Sequence, residues 1–310
     1  MSAELPASFW AIGGGKGGVG KSVTSLALAY WLGRLNKKVI LVDADLGGAN
    51  LHTMLGIRIP QTSLDDFVLK RAQTLDEVLI DTSLPNVRLL AGGSEIPSLA
   101  NPNYGQKTRI LRAIQKLNAD YILVDIGAGS GFTQLDFFLA APNRLVVMSP
   151  QPTSIENAYG FVKAAVYRHL ASLLKTTTLK GLLDGTGGAD GRGVPQSCEE
   201  VLAEVESHEP TQVPAVRAAL DAFRVYLVVN MTRTARDEKA GDVIRKVCER
   251  FLDIDVTCLG SVPRDPAMER WAATMGKDSP GKEWSEEVLR STYQVAYQIL
   301  TRPEIARRAA

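Results

Sequence analysis

The sequence predicts an α/β fold: a doubly wound, mostly parallel sheet flanked by helices. Three observations carry this. Short apolar runs recur along the chain and are continuous rather than alternating, as strands buried on both faces require. Helical patterns separate most of them, and strand–helix alternation produces parallel crossovers. The runs also close on glycine, Asp, Ser or Asn, so polar chemistry gathers beyond the carboxyl ends of the strands, where such sheets bind ligands.

In chain order, "FWAIGG" leads into a glycine loop, and residues 21–35 read as a helix. "KVILVDAD" ends at Asp43 and Asp45, and "NVRLLAGG" follows as a further strand. A helix is expected over 106–117, then "YILVDIGAG", ending at Asp125. "RLVVMSPQP" closes at Ser149 and a helix covers 153–174. "VYLVVNMTR" ends at Asn230, a helix spans 237–251, "VTCLGSVPRD" is the last strand, and 284–300 forms the final helix. The expected organisation is a single domain over 1–310 with an insertion at 175–222. That stretch is too long for a simple helix-to-strand turn. Its Gly/Asp-rich part, "LLDGTGGADGRGVPQ", reads as a loop followed by one or two amphipathic helices. It is either a solvated insertion or a partner-binding element.

The chain has 310 residues, 45% hydrophobic and 22% charged, with a formal net charge of +1. That balance disfavours a strongly basic nucleic-acid binder. Cys198, Cys248 and Cys258 include no C-x-x-C pair, which fits a reducing compartment rather than a zinc or iron–sulfur site. No signal-like leader and no run of about 20 apolar residues is visible, so a cytoplasmic protein is expected. His52, His169 and His208 are scattered and form no ligand pattern.

The strongest motif is Gly15-Lys16-Gly17-Gly18-Val19-Gly20-Lys21-Ser22, followed by Val23. It satisfies G-x-x-x-x-G-K-[ST] after an expected strand and at the start of an expected helix. The glycines let backbone N–H groups converge on phosphate oxygens, and the helix contributes the positive end of its dipole. Lys21 is expected at the β- and γ-phosphates of ATP, and the Ser22 hydroxyl directly on Mg²⁺. A glycine-rich turn without a ligand is the competing reading. Lys16 is surplus to that scheme. Its side chain can reach a phosphate on a facing subunit, or it can be a solvated surface lysine; spacing does not decide.

The stretch "KGGVGKS" resembles the deviant phosphate loop of the MinD/ParA group of ATPases, and the likeness extends over most of the chain. The resemblance implies that Lys16 reaches across a face-to-face homodimer, formed in the ATP state, to the partner's nucleotide. "VILVDADLGGANLHTMLG" looks like the first switch of that group. On that match Asp43 lies near the metal shell, Asp45 positions the attacking water, and Asn50 shares the switch. Asp125 is then a Walker-B-like carboxylate holding Mg²⁺ through water, as Asp43 also would. Gly127 and Gly129 form a γ-phosphate-sensing turn. Here the chain reads D-x-G-A-G, without the proline common in MinD and ParA. This is closer to the flagellar-placement branch, FlhG (also called FleN). Asn230, Pro263 and Asp265 match the family's adenine-contacting positions, where an amide can both donate to and accept from a purine edge.

The function implied is an ATP-hydrolysing switch, slow and partner-stimulated, that regulates positioning or assembly of a cellular structure. An unidentified protein would stimulate or read the dimer. Two alternatives remain at this level: a DNA-associated partitioning ATPase, with DNA disfavoured by the neutral charge, and a nucleotide-dependent scaffold with little turnover. Metal-cluster carriers of the same group need paired or symmetry-bridging cysteines that this chain lacks. The membrane-binding terminal helix of MinD is not visible in "LTRPEIARRAA", where Pro303 interrupts the pattern.

Overall fold

Seven of the apolar runs become strands of one eight-stranded sheet. The computed structural model describes residues 7–46, 48–93, 102–184, 194–273 and 283–301. The strands are β1 (Ser8–Gly13), β2 (Val39–Ala44), β3 (Leu79–Asp81), β4 (Val87–Leu90), β5 (Tyr121–Ile126), β6 (Asn143–Met148), β7 (Arg224–Thr232) and β8 (Asp255–Pro263). Their order is β3-β4-β2-β5-β1-β6-β7-β8. All pairings are parallel except β3 with β4. The sequence reading did not separate β3. Three residues at an edge, half-buried or exposed, give no continuous apolar run to find.

The helices α1 (Lys21–Arg34), α2 (Leu51–Met54), α3 (Leu64–Val68), α4 (Tyr104–Ile114), α5 (Phe132–Ala140), α6 (Pro152–Leu173), α7 (Thr177–Asp184), α8 (Cys198–His208), α9 (Val213–Ala222), α10 (Ala235–Glu238), α11 (Ala240–Leu252), α12 (Pro266–Ala273) and α13 (Glu286–Thr301) cover both faces. Period-2 alternation along β1 divides the core. Phe9 and Ala11 enter a cluster built with α3–α9 and α11, whereas Trp10 and Ile12 enter one built with α1, α12 and α13. The helix expected over 237–251 is broken at Lys239: Thr234 and Asp237 cap α10 reciprocally, and α11 starts after it.

The inserted region is not a detached appendage. Leu179, Cys198, Val201, Val205, Val216 and Leu220 bury into the same cluster as α6 and α11. The Glu209 carboxylate accepts hydrogen bonds from the Lys175 and Thr176 backbone amides, so the far end of α8 clasps the start of the insertion. Most of the Gly/Asp-rich stretch lies outside the described residues, as does the C-terminal "RPEIARRAA". Among the described residues no helix is long and apolar enough to cross a membrane, and no three His, Cys, Asp or Glu side chains group as metal ligands. The cysteines are free; burial pushes the Cys198 and Cys248 thiols up to about 12, which keeps them unreactive.

Candidate nucleotide site

The parallel register brings the chemistry to one edge. Asp43 on β2 lies opposite Asp125 on β5, and Asp125 lies opposite Ile12 on β1, three residues before the Gly15 that opens the phosphate-loop motif. Three strand ends therefore converge on the start of α1.

The loop between β1 and α1 has no freedom to drift. A methyl group at Gly15 would sit 2.0 Å from the Asn157 carbonyl oxygen, so only glycine lets the first turns of α6 lie against the loop. The Asn230 side-chain amide donates to the Val19 carbonyl at 2.9 Å from the end of β7. Thr24 Oγ1 donates to the Gly20 carbonyl at 2.8 Å. Gly17 and Gly18 are exposed, Val19 is buried, and Ser22 and Val23 are half-buried at the entry to α1. The first turn of that helix carries no acidic residue and no side-chain cap, so its N–H donors and dipole face an incoming anion without an internal competitor.

The two lysines part company here. Lys21 is buried, and its Nζ donates to the Lys16 carbonyl at 3.4 Å. Burial pulls its pKa below the usual lysine value, opposed by the charges of Asp125 and Asp45. Lys16 is exposed, and its Nζ donates to Thr153 Oγ1 at 3.1 Å. Its side chain thus leans over the first turn of α6, outside the cradle that its own backbone helps to form.

The carboxylates are crowded. Asp43 is 1% exposed; its oxygens accept from the Leu51 amide at 3.0 Å and the Asp45 amide at 3.2 Å, so it caps α2 and shapes the switch segment. Burial first, and then the charge of Asp125, push it up to about 7. Asp125 is raised to about 6, chiefly by burial, against hydrogen bonds from Ser22 and Ser25 and the charge of Lys21. Asp45 lies just beyond the strand, which ends at Ala44, so strand alternation does not place it; the Asp43 contact does. A methyl at Gly127 would meet Asp45 Oδ1 at 2.8 Å, so this glycine makes room for the Asp45 carboxylate against the turn that also contains Gly129. Asn50 stands immediately before α2 and donates to the Gly48 carbonyl at 2.6 Å.

Asp125 and Asp45 thus act on one buried ammonium, and Asp43 is set against both carboxylates. The surplus negative charge, the two raised carboxyl pKa values and a hydroxyl at Ser22 make a donor set of hard oxygens that suits Mg²⁺. The loop and helix start suit phosphate. The residues present therefore fit a magnesium–nucleotide ligand.

The other two expected base contacts, Pro263 and Asp265, sit at and just beyond the end of β8. Pro263 closes β8 opposite Thr232. Asp265 accepts from the Ala267 and Ser285 amides, both at 2.7 Å, and so brackets α12 and α13. Burial raises its carboxyl, but those donors together hold it below the usual range. The sequence reading missed Ser25, whose Oγ donates to Asp125 Oδ1 at 2.9 Å. A signal was available: one helical turn after Lys21, its side chain had to fall on the same face. Thr153 and Asn157 carried no local signal, because only the crossover of α6 brings them to the loop.

Known proteins resemble this chain in sequence and fold. A model of the CobQ/CobB/MinD/ParA nucleotide binding domain matches residues 10–276. Antiactivator FleN of Pseudomonas aeruginosa is 35% identical over 165 residues, 53% of this chain and 58% of that protein. The flagellum site-determining protein YlxH of Helicobacter pylori is 36% identical over 162 residues, 50% of this chain and 52% of that protein. The chain spans a little over half the length of these curated relatives. Among solved structures, the septum site-determining protein MinD from Pyrococcus horikoshii, complexed with Mg-ADP, covers 97% of this chain and 98% of its own, with a TM-score of 0.61 at 18% identity. A ParA family ATPase from Chlorobium tepidum also gives 0.61, at 16% identity, over 94% of this chain and 98% of its own. At those identities the likeness is one of fold. With the family model spanning most of its length and the phosphate loop assembled at the sheet edge, the chain belongs to the CobQ/CobB/MinD/ParA nucleotide-binding family.

Proposed function

We propose that the chain is a magnesium-dependent ATPase, working in the cytoplasm, whose ATP-bound form is a face-to-face homodimer. Another protein reads that dimer to position or assemble a cellular structure. The observation that carries this reading is the division of labour between the lysines. Lys21 is buried among carboxylates at the loop, whereas Lys16 is exposed and directed away from it.

Lys21 and the loop N–H groups hold the β- and γ-phosphates of ATP. Bound Mg²⁺, held directly by Ser22 and through water by Asp43 and Asp125, would offset the surplus carboxylate charge and that of the phosphates. Asp45 orients the attacking water by accepting its hydrogen bond, and Ser25 keeps Asp125 in place. Lys16 leaves Thr153 and reaches the partner's nucleotide, where its ammonium stabilises the transferred phosphoryl charge in trans. Gly127 and Gly129 let the turn after β5 respond to the γ-phosphate. Asn230, with the Pro263–Asp265 loop, borders the adenine. FleN and YlxH, named for antiactivation and flagellum site determination, support a role in flagellar placement rather than DNA partitioning.

Phosphate release with and without magnesium tests the reading. Wild-type chain should turn over slowly and only with Mg²⁺, and Lys21→Ala should lose both tight ATP binding and turnover. A wild-type chain that binds ATP but releases no phosphate, alone or with cell extract, is a scaffold and not an enzyme. Asp45→Ala should retain ATP as a stable dimer and serve as bait for the partner.

A further inference from the structure

Helix α4 buries little of itself. Only Ile110 and Ile114 of its 11 residues are buried. A reciprocal cap between Asn103 and Gln106 fixes its first turn and leaves Tyr104 80% exposed. Residues four apart stack in a row on a helix, and Tyr104, Thr108 and Arg112 form such a row. That row is the crest between two cavities. One, of about 580 Å³, opens between α4, α5, α6 and α7, with Leu111 and Leu139 in its walls. The other, of about 630 Å³, opens between α4 and residues 73–76, over Phe67 and Leu75.

Charge on this ridge is one-sided. Six lysines and arginines line the two cavities against two carboxylates, Asp136 and Asp76, in a chain whose net charge is only +1. Asp136 is spent internally: Lys107 Nζ reaches it at 2.5 Å and the Arg168 guanidinium at 2.6 Å. Arg109 lies over the Phe67 ring at 4.3 Å. Arg112 and Lys116 are exposed and have no carboxylate partner among the described residues.

We propose that the α4 ridge is a docking surface for an acidic segment of another protein bearing aromatic or leucine anchors. The anchors enter the two apolar-floored cavities, the carboxylates meet Arg112 and Lys116, and Tyr104 packs across the top. Exposed aromatic residues beside pockets and a cationic rim are what a peptide site uses. A nucleic acid needs a longer track of free cations than Arg112, Lys116 and the half-buried Lys180 provide here.

The experiment pans a random displayed-peptide library against the full chain without nucleotide, so that its outcome is independent of the ATPase reading. An Arg112→Glu/Lys116→Glu double variant is panned in parallel. The wild type should enrich Asp/Glu-rich peptides carrying Trp, Phe or Leu. A synthesised winner should bind the double variant at least about tenfold more weakly, lose affinity with Tyr104→Ala, and weaken as salt rises. All three positions are exposed, so the variants should melt with the parent chain; should the double variant melt lower, Arg112→Gln/Lys116→Gln replaces it. Enrichment without an acidic bias, or equal binding to the variants, overturns the proposal. So does a single-stranded oligonucleotide that binds the ridge with the same losses, since the surface would then be a nucleic-acid site.

Discussion

Replacing Asp125 by Asn should stabilise the nucleotide-free protein, although it removes a carboxylate of the proposed magnesium site. Asp125 is 2% exposed and its carboxyl is raised from 3.8 to about 6. A carboxyl raised in the folded state is no burden below its unfolded pKa and costs stability as pH climbs through the folded value. Two units correspond to roughly 3 kcal/mol at pH 8, falling to about half of that at pH 5. The attraction of Lys21 and the bonds from Ser22 and Ser25 are already within that net shift. Asn keeps an oxygen for Ser25 and can donate to Ser22, so the geometry survives. For a chain of this length, about 3 kcal/mol is a rise of roughly 4 °C in melting temperature. The assay is thermal unfolding of both proteins without nucleotide at pH 8 and pH 5. The variant should melt higher, by more at pH 8. A variant that melts lower at pH 8, or a gap that widens at pH 5, would refute the argument that the site holds surplus negative charge.

Three further outcomes follow from the geometry. Gly15→Ala drives a methyl into the Asn157 carbonyl at 2.0 Å, a backbone clash worth about 1–3 kcal/mol; melting should fall and ATP affinity, read by titration, should drop with it. Asn230→Ala removes the bond to Val19 and leaves a buried carbonyl unsatisfied, costing about 1–3 kcal/mol in denaturant unfolding. Ser25→Ala frees Asp125 from one of its donors, so the magnesium concentration giving half-maximal turnover should rise while ATP binding without metal changes little.

Much of this architecture could be read beforehand, for a physical reason. Strands buried on both faces must be apolar throughout, so "YILVDI" and "VILVDA" announce themselves, and the polar residues that end them mark the site. The phosphate loop is equally legible because it is local. What escaped is non-local or short. Edge strand β3 has no buried run, and α2 has four residues, with Asp43 accepting the N–H of its first. Thr153 and Asn157 meet the loop only through the β6–α6 crossover. The insertion was undecidable from its glycines, because its fixed part depends on Cys198, Val201 and Val216 finding α6 and α11. Asp265 also accepts from the Ala267 and Ser285 amides, a bracket between two helices that its place in the sequence does not announce.

Whether Lys16 serves its neighbour is decided by molecular mass in solution. With magnesium and ATP, light scattering on Asp45→Ala should give twice the monomer mass. The Asp45→Ala/Lys16→Ala protein should bind the same nucleotide yet stay at monomer mass. A double variant that still pairs, or a Lys16→Ala chain that hydrolyses ATP normally as a monomer, would contradict an ammonium group shared between two copies.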